Sequence, residues 1–207
     1  MPHAYPLMLD VTDRLVVVVG GGAVAVRKIR GLLDAGATRV RVVAPEFHAE
    51  MPAGIERVAA AYESSHLDAA QLVFATTDSP ETNERVARDA RDRGIWINRS
   101  DEGGQGDFAT PARWAEGDVI VTVAAGSAAL STAIRDDLIV KLDRRYVKLA
   151  AAMKTLRPAV RIAEADPQRR AAIFRDLASA EALDAVDRSG AEGVRDWLRM
   201  RHPNLWS

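Results

Sequence analysis

Residues 16–28, VVVVGGGAVAVRK, set four stiff β-branched valines directly against three glycines. Gly20, Gly21 and Gly22 with Ala25 satisfy G-x-G-x-x-A, the spacing of a dinucleotide-binding turn, which needs a strand before it and a helix after it. The chemistry lies in the missing side chains. Gly20 lets the chain turn sharply, Gly22 removes the Cβ that would block a pyrophosphate, and Ala25 lets the helix pack close to the strand. Phosphate oxygens would then face the free N–H groups and positive end of a helix starting near Ala23. The competing reading is a tight turn that binds nothing. Such a turn has no need of a third glycine, nor of a helix start without a polar cap.

In an open α/β sheet a ligand lies beyond the carboxyl ends of the strands, so the strand tails supply the other candidates. After the second strand the usual ribose-binding acid is replaced by Ala44-Pro45, with Glu46 next. Glu46 can still reach a ribose hydroxyl; its alternative is a plain surface carboxylate. The lack of arginine immediately after that strand favours NAD over NADP, and Arg39 and Arg41 argue the other way. Thr76 and Thr77 can offer hydroxyls to a ribose or a nicotinamide amide, while Asp78 suits a helix cap. Asp101 follows a buried strand, has Glu102 beside it and glycines after it, and faces the reactive end of a cofactor. With its pKa lifted by the neighbouring charge and partial burial, it could accept a proton while hydride leaves to NAD. The alternative is a solvated loop acid.

The elements that must position these residues can be read from the pattern. Leu15–Val19 is a continuous apolar run, the mark of a strand buried on both faces. Ala23–Asp34 is a helix with Val24, Ile29, Leu32 and Leu33 roughly on one face and Gly36 as its stop. Strands are expected at 40–44, 55–59, 71–76 and 95–98. The helix before the last of these is capped by Asp78 or Ser79, carries Pro80 in its first turn and ends at Gly94. Alternating strands and helices over the first hundred residues specify a parallel α/β sheet. Beyond the charged, glycine-rich loop RSDEGGQGD, FATPARW and DVIVTVAAG form a hairpin through the turn AEGD, followed by a helix over 128–142. From Arg144 the chain is helical, with breaks at Pro158, Pro167 and Gly190.

Composition excludes several classes. Of 207 residues 48% are hydrophobic, enough for a real core. No apolar run approaches the roughly 18 residues that span a bilayer, and MPHAYPLMLDVTDR lacks the basic and apolar regions of a secretion signal, so a cytoplasmic protein with no membrane partner is expected. The chain has no cysteine, which removes disulfides, thiolate metal sites and cysteine nucleophiles. His3, His48, His66 and His202 stand too far apart in sequence to suggest a permanent zinc site. A net charge of −1 offers no general attraction to nucleic acid, and no nucleic-acid partner is expected.

The order of these pieces resembles the precorrin-2 dehydrogenase family, the NAD-dependent module of siroheme synthases. The likeness runs through YPLMLDVTDRLVVVVGGGAVAVRKIRGLLDAGA, ATTDSPETNERV, INRSDE, DFATPA and GDVIVTVAAG, over roughly residues 5–142. The resemblance implies a Rossmann-like parallel sheet with a β-hairpin/helix dimerisation region and a helical C-terminal region, divided as 1–112, 113–145 and 146–207. It implies NAD-dependent oxidation of the tetrapyrrole precorrin-2 to sirohydrochlorin, with iron insertion in some members. By position Gly20, Gly22, Ala23 and Val24 match the cofactor loop, Pro45 and Glu46 the contacts after the second strand, and Asp101 the essential aspartate. Asn98 matches an asparagine that holds the following loop. A homodimer is implied, built from the hairpin and the next helix. The chain departs from the family pattern at Ala124-Ala125 and Ala129-Leu130, where serines and a Ser-Pro are usual, and at Gly103-Gly104, where a proline is common. Arg99, Arg113 and Arg135 are expected to flank a carboxylate-rich substrate. The rival reading is an NAD(H)-sensing domain without catalysis. An oxidoreductase acting on an unrelated small acid is a third.

Overall fold

The computed structural model describes residues 4–101 and 106–206. It contains two compact units, residues 1–110 and 111–207.

The first unit is a five-stranded parallel sheet in the order β3-β2-β1-β4-β5. Its strands are β1 (Leu15–Val19), β2 (Arg39–Val43), β3 (Glu56–Val58), β4 (Leu72–Ala75) and β5 (Trp96–Arg99). All five residues of β1 are buried, as a central strand covered on both faces requires. Because side chains alternate along a strand, Val16, Val18, Leu72 and Phe74 face helix α1 (Ala23–Asp34) with Ala25, Val26, Ile29 and Leu32. Val17, Val19, Val73 and Ile97 face helix α2 (Pro80–Asp92) with Val86, Ala87 and Ala90. Val24 does not belong to the buried face of α1, as its sequence spacing suggests; it is 36% exposed, because the helix turns residues 25, 26, 29 and 32 inward. The order of connections reverses between β1 and β4, which places a crevice at their carboxyl ends.

The open edge of β5 is covered by residues 106–108. The Asp107 N–H donates to Ile97 O at 2.8 Å, and the Ile97 N–H donates to the Asp107 carboxylate at 3.0 Å. Asn98 Nδ2 donates to Phe108 O at 2.8 Å. The expected strand FATPARW therefore begins later than its apolar start suggests. Phe108 packs edge-on against Phe74, and pairing with the next strand starts only at Ala112.

In the second unit β6 (Ala112–Glu116) and β7 (Val119–Val123) form the antiparallel hairpin, turning at Gly117 with φ +55°. Helices α3 (Ala128–Lys141), α4 (Arg145–Ala163), α5 (Pro167–Asp176) and α6 (Ala180–Arg201) follow. The last three pack around Leu149, Leu156, Val160, Leu177, Leu183 and Leu198. Pro158 does not break the chain as expected; it lies inside α4. A proline in a helix interior costs about 3 kcal/mol, but Leu156 and Val160, 1% and 0% exposed, flank it on the packed face and hold the helix through it. The expected break at Pro167 is present, where Asp166 caps α5 by accepting the N–H groups of Gln168 and Arg169. At Gly190, with φ +58°, α6 is kinked, as the sequence indicates.

Candidate functional site

Each glycine of the turn answers to a different constraint. Gly20 has φ +124°, and a Cβ there would lie 2.6 Å from Thr76 Oγ1 and 2.7 Å from Thr76 O. A Cβ on Gly21 would lie 1.9 Å from the carbonyl oxygen of Glu46, because the chain after β2 folds back until the His48 N–H donates to Gly21 O at 2.8 Å. Gly22 differs from both. A Cβ there would meet no protein atom within 4 Å, so the fold does not require glycine at this position. Gly22 is also the N-cap of α1, with no side-chain hydrogen bond to the first turn and no acid in it. By contrast Ser79, Ser127, Asp166 and Ser179 cap α2, α3, α5 and α6 with their side chains. The first-turn amides of α1, at Ala23, Val24 and Ala25, lack intrahelical partners. A cradle that a Cβ would fill, lined by bare N–H groups at the positive end of a helix, suits the pyrophosphate of a dinucleotide. Ala25 is fully buried, while Ala23 and Val24 are exposed beside the cradle.

Pro45 and Glu46 lie on the surface immediately after β2, with the backbone of Glu46 against Gly21. The arginines that argued for a 2′-phosphate are engaged elsewhere. Arg41 is paired with Glu56 at 2.9 Å and donates to His66 O at 3.0 Å, and Arg39 begins β2, at the opposite end of the strand from Glu46.

Thr76 is 6% exposed and its hydroxyl donates to Val19 O at 3.0 Å, joining the tails of β1 and β4. The Thr77 hydroxyl lies 2.8 Å from Asn83 Oδ1 and 3.1 Å from Ser79 O. The proton of each hydroxyl is thus directed inward, leaving the oxygens as acceptors. Asn83 is a residue the sequence reading missed. It is fully buried on α2, accepts from the Thr77 N–H at 3.1 Å, returns a bond to Thr77 O at 2.9 Å, and also hydrogen-bonds Asp101. Its signal was its place on the buried stripe of α2 with Val86, Ala87 and Ala90. Asp78 is not the cap; Ser79 is, accepting from the Thr82 N–H at 3.1 Å.

Asp101 stands at the tail of β5, its side chain 17% exposed. Arg99, whose side chain is 4% exposed, grips it with two parallel bonds, Nε to Oδ1 at 3.1 Å and Nη2 to Oδ2 at 2.8 Å, and pairs through Nη1 with Glu84. The expected upward shift of its pKa is corrected by this geometry. The hydrogen bonds from Arg99 outweigh burial, and with that from Asn83 they hold the carboxyl down at about 2. Asp101 is therefore an ionised acceptor across the physiological range. Glu102, Gly103 and Gly104 lie outside the described residues. Of the cations expected to meet a substrate, Arg99 is held by Asp101 and Glu84, and Arg135 by Asp136 at 2.6 Å. No group of three or more potential metal ligands occurs among the described residues.

Comparison with known proteins agrees with this geometry. The profile of the family described as "Putative NAD(P)-binding" matches residues 7–112. The siroheme synthase of Chromobacterium violaceum is 33% identical over 204 residues, covering 95% of this chain and 43% of its own length. That of Ectopseudomonas mendocina is 35% identical over 186 residues, covering 87% of this chain and 40% of its own. The chain thus spans less than half the length of these relatives. Among solved structures, SirC, a precorrin-2 dehydrogenase, superposes with a TM-score of 0.76 at 21% identity, over 95% of this chain and 100% of the other, a likeness of fold.

Proposed function

The chain belongs to this NAD(P)-binding family, and from that premise we propose that it catalyses NAD-dependent oxidation of precorrin-2 to sirohydrochlorin. The observation that carries the proposal is Gly22, a glycine the fold does not need, at the head of an uncapped helix in a sheet whose β5 tail carries an ionised aspartate. The siroheme synthases and the precorrin-2 dehydrogenase with the same fold supply the substrate class.

The bound dinucleotide supplies a two-electron hydride acceptor. The chain's own residues do the rest. Gly20 and Gly22 open the turn, and the N–H groups of Ala23 and Val24 take the pyrophosphate. Pro45 and Glu46 border the adenosine ribose, where the displacement of Arg39 and Arg41 supports NAD over NADP. Thr76 and Thr77 accept hydrogen bonds near the nicotinamide half. Asp101 touches the macrocycle. Its depressed pKa suits it to hold pyrrole N–H groups and offset developing positive charge as hydride leaves, with the accompanying proton passing to water.

The hairpin and α3, residues 113–145, form the dimerisation region, and residues 146–207 a separate helical region. Leu130, Ile134 and Leu138 are 51%, 37% and 48% exposed at four-residue spacing on α3, and Ser131 is that helix's buried residue. A second copy covering this stripe accounts for so many apolar groups facing water. No helix among the described residues is long and apolar enough to cross a membrane, in keeping with a cytoplasmic enzyme.

The test compares Asp101→Ala with the wild-type protein, mixed anaerobically with precorrin-2 and NAD. The variant retains calorimetric NAD binding and loses tetrapyrrole oxidation. If the wild-type protein binds NAD and neither protein oxidises the tetrapyrrole, a sensing domain is the better description.

A further inference from the structure

Lys28 lies one helical turn beyond Val24 on the same face of α1, so this face carries an ammonium group onward from the cofactor amides. Its Nζ donates to Thr110 Oγ1 at 2.6 Å and stands 5.7 Å from the centroid of the Phe74 ring. Phe108 packs edge-on against Phe74 at 5.3 Å, and Asn98 is the neighbour of Phe74 on β5. Asn98 is 5% exposed; its amide nitrogen holds Phe108 O, and its buried Oδ1 has no hydrogen-bond partner among the described residues. The patch therefore contains two polar groups that the fold leaves incompletely satisfied.

The contrast with other enclosed cations is clear. The side chains of Arg99, Arg41 and Arg135, at 4%, 22% and 23% exposure, each rest against a carboxylate. Among the described residues, half-buried Lys28 meets a threonine hydroxyl and an aromatic face and no carboxylate, and the charge acting on it is that of Arg27, which repels it. Burial, followed by Arg27, lowers its pKa to about 8. An enclosed ammonium without a counter-ion is a costly arrangement that an incoming anion relieves.

We propose that Lys28 determines substrate specificity by receiving a carboxylate of the tetrapyrrole, on the face of α1 that runs on from the cofactor amides. The proposal rests on the tetrapyrrole reading above. Cofactor phosphates are the other source of anions, but their amides lie a turn away at the head of α1. The carboxylate-bearing macrocycle is therefore the ligand that fits.

The experiment uses the intact protein and two measurements, fluorescence titration with sirohydrochlorin and turnover of precorrin-2 with NAD. Lys28→Met keeps the aliphatic stem over Phe74 and removes the charge. It weakens tetrapyrrole binding by about 10- to 100-fold, the range for a lost charge-assisted hydrogen bond, and raises KM for precorrin-2 without changing NAD affinity. Lys28→Arg recovers most of the loss. In the wild-type protein tetrapyrrole affinity falls as pH rises through about 8, where the free ammonium gives up its proton, and in Lys28→Arg it does not. Thr110→Val removes the hydroxyl partner but not the charge, and binds the tetrapyrrole as the wild-type protein does. The proposal is overturned if Lys28→Met binds sirohydrochlorin like the wild-type protein, or if Thr110→Val loses as much, which would make Lys28 a clamp on the 108–110 segment. Oxidation undiminished in Lys28→Met removes the site and leaves the function. Lys28-dependent binding without oxidation in the wild-type protein removes the function and leaves the site. A wild-type protein that neither binds nor oxidises the tetrapyrrole removes both.

Discussion

At the scale of single residues, three adjacent glycines separate what the fold needs from what the proposed dinucleotide needs. Gly22→Ala places a methyl group where no protein atom lies, at an ordinary φ of −83°. Its stability is unchanged or raised by about 0.4–1 kcal/mol through the unfolded chain, while calorimetry finds NAD binding lost. Gly21→Ala drives a methyl group into the Glu46 carbonyl and lowers the thermal midpoint. Equal destabilisation by both substitutions would contradict this division. The sequence spacing identified Gly20 and Gly22, but not the crowding at Gly21, because the Glu46 backbone arrives from another strand. Asp101 was legible by position and not by charge. Nothing in INRSD says that the Arg99 fork turns back onto the carboxylate two residues on. Because the folded pKa lies below the unfolded one, this pair contributes stability above the ordinary carboxylate range and loses it as pH falls through about 2. A carbon-detected NMR titration of Asp101 gives a midpoint near that value. In Arg99→Met the midpoint rises to about 3.9 or above; an unmoved midpoint would show that Arg99 is not the cause.

At the scale of elements, the strand and helix order of residues 15–99 could be read from apolar runs and helix stops, because a parallel sheet buried on both faces writes its strands as unbroken valine-rich segments. The segment 106–110 was not legible in the same way. It has strand-like residues, but it covers the β5 edge with Asp107 and Phe108 before the hairpin begins. Pro158 misled for a similar reason, since its local effect is smaller than the packing of Leu156 and Val160 on either side. The connection from β4 to α2 is held by Asn83, which joins three groups of Thr77 and touches Asp101. Asn83→Ala leaves the Thr77 N–H without its partner, and unfolding in urea shows a loss of about 1–3 kcal/mol. NAD affinity falls with it, because the loop borders the crevice. A variant as stable as the wild-type protein would mean that the loop holds its shape without the asparagine.

At the scale of the whole molecule, the sequence supported a nucleotide-binding first half followed by a region of different texture, and the chain divides at residue 110. The proposed dimer rests on the exposed stripe of Leu130, Ile134 and Leu138 on α3. Sedimentation finds a dimer for the wild-type protein, and Ile134→Asp, which puts a charge into that stripe, shifts it to monomer with its fold intact; a monomeric wild-type protein would contradict the assignment. The proposed substrate comes from likeness to the siroheme synthases, because residues proposed to hold a nucleotide do not say which molecule gives up the hydride. The most direct measurement is therefore anaerobic turnover of precorrin-2 by the intact protein with NAD, following NADH and sirohydrochlorin together. The two are expected in equal amounts and only when protein, NAD and tetrapyrrole are all present. Saturable NAD binding with no NADH formed over the same period would contradict it.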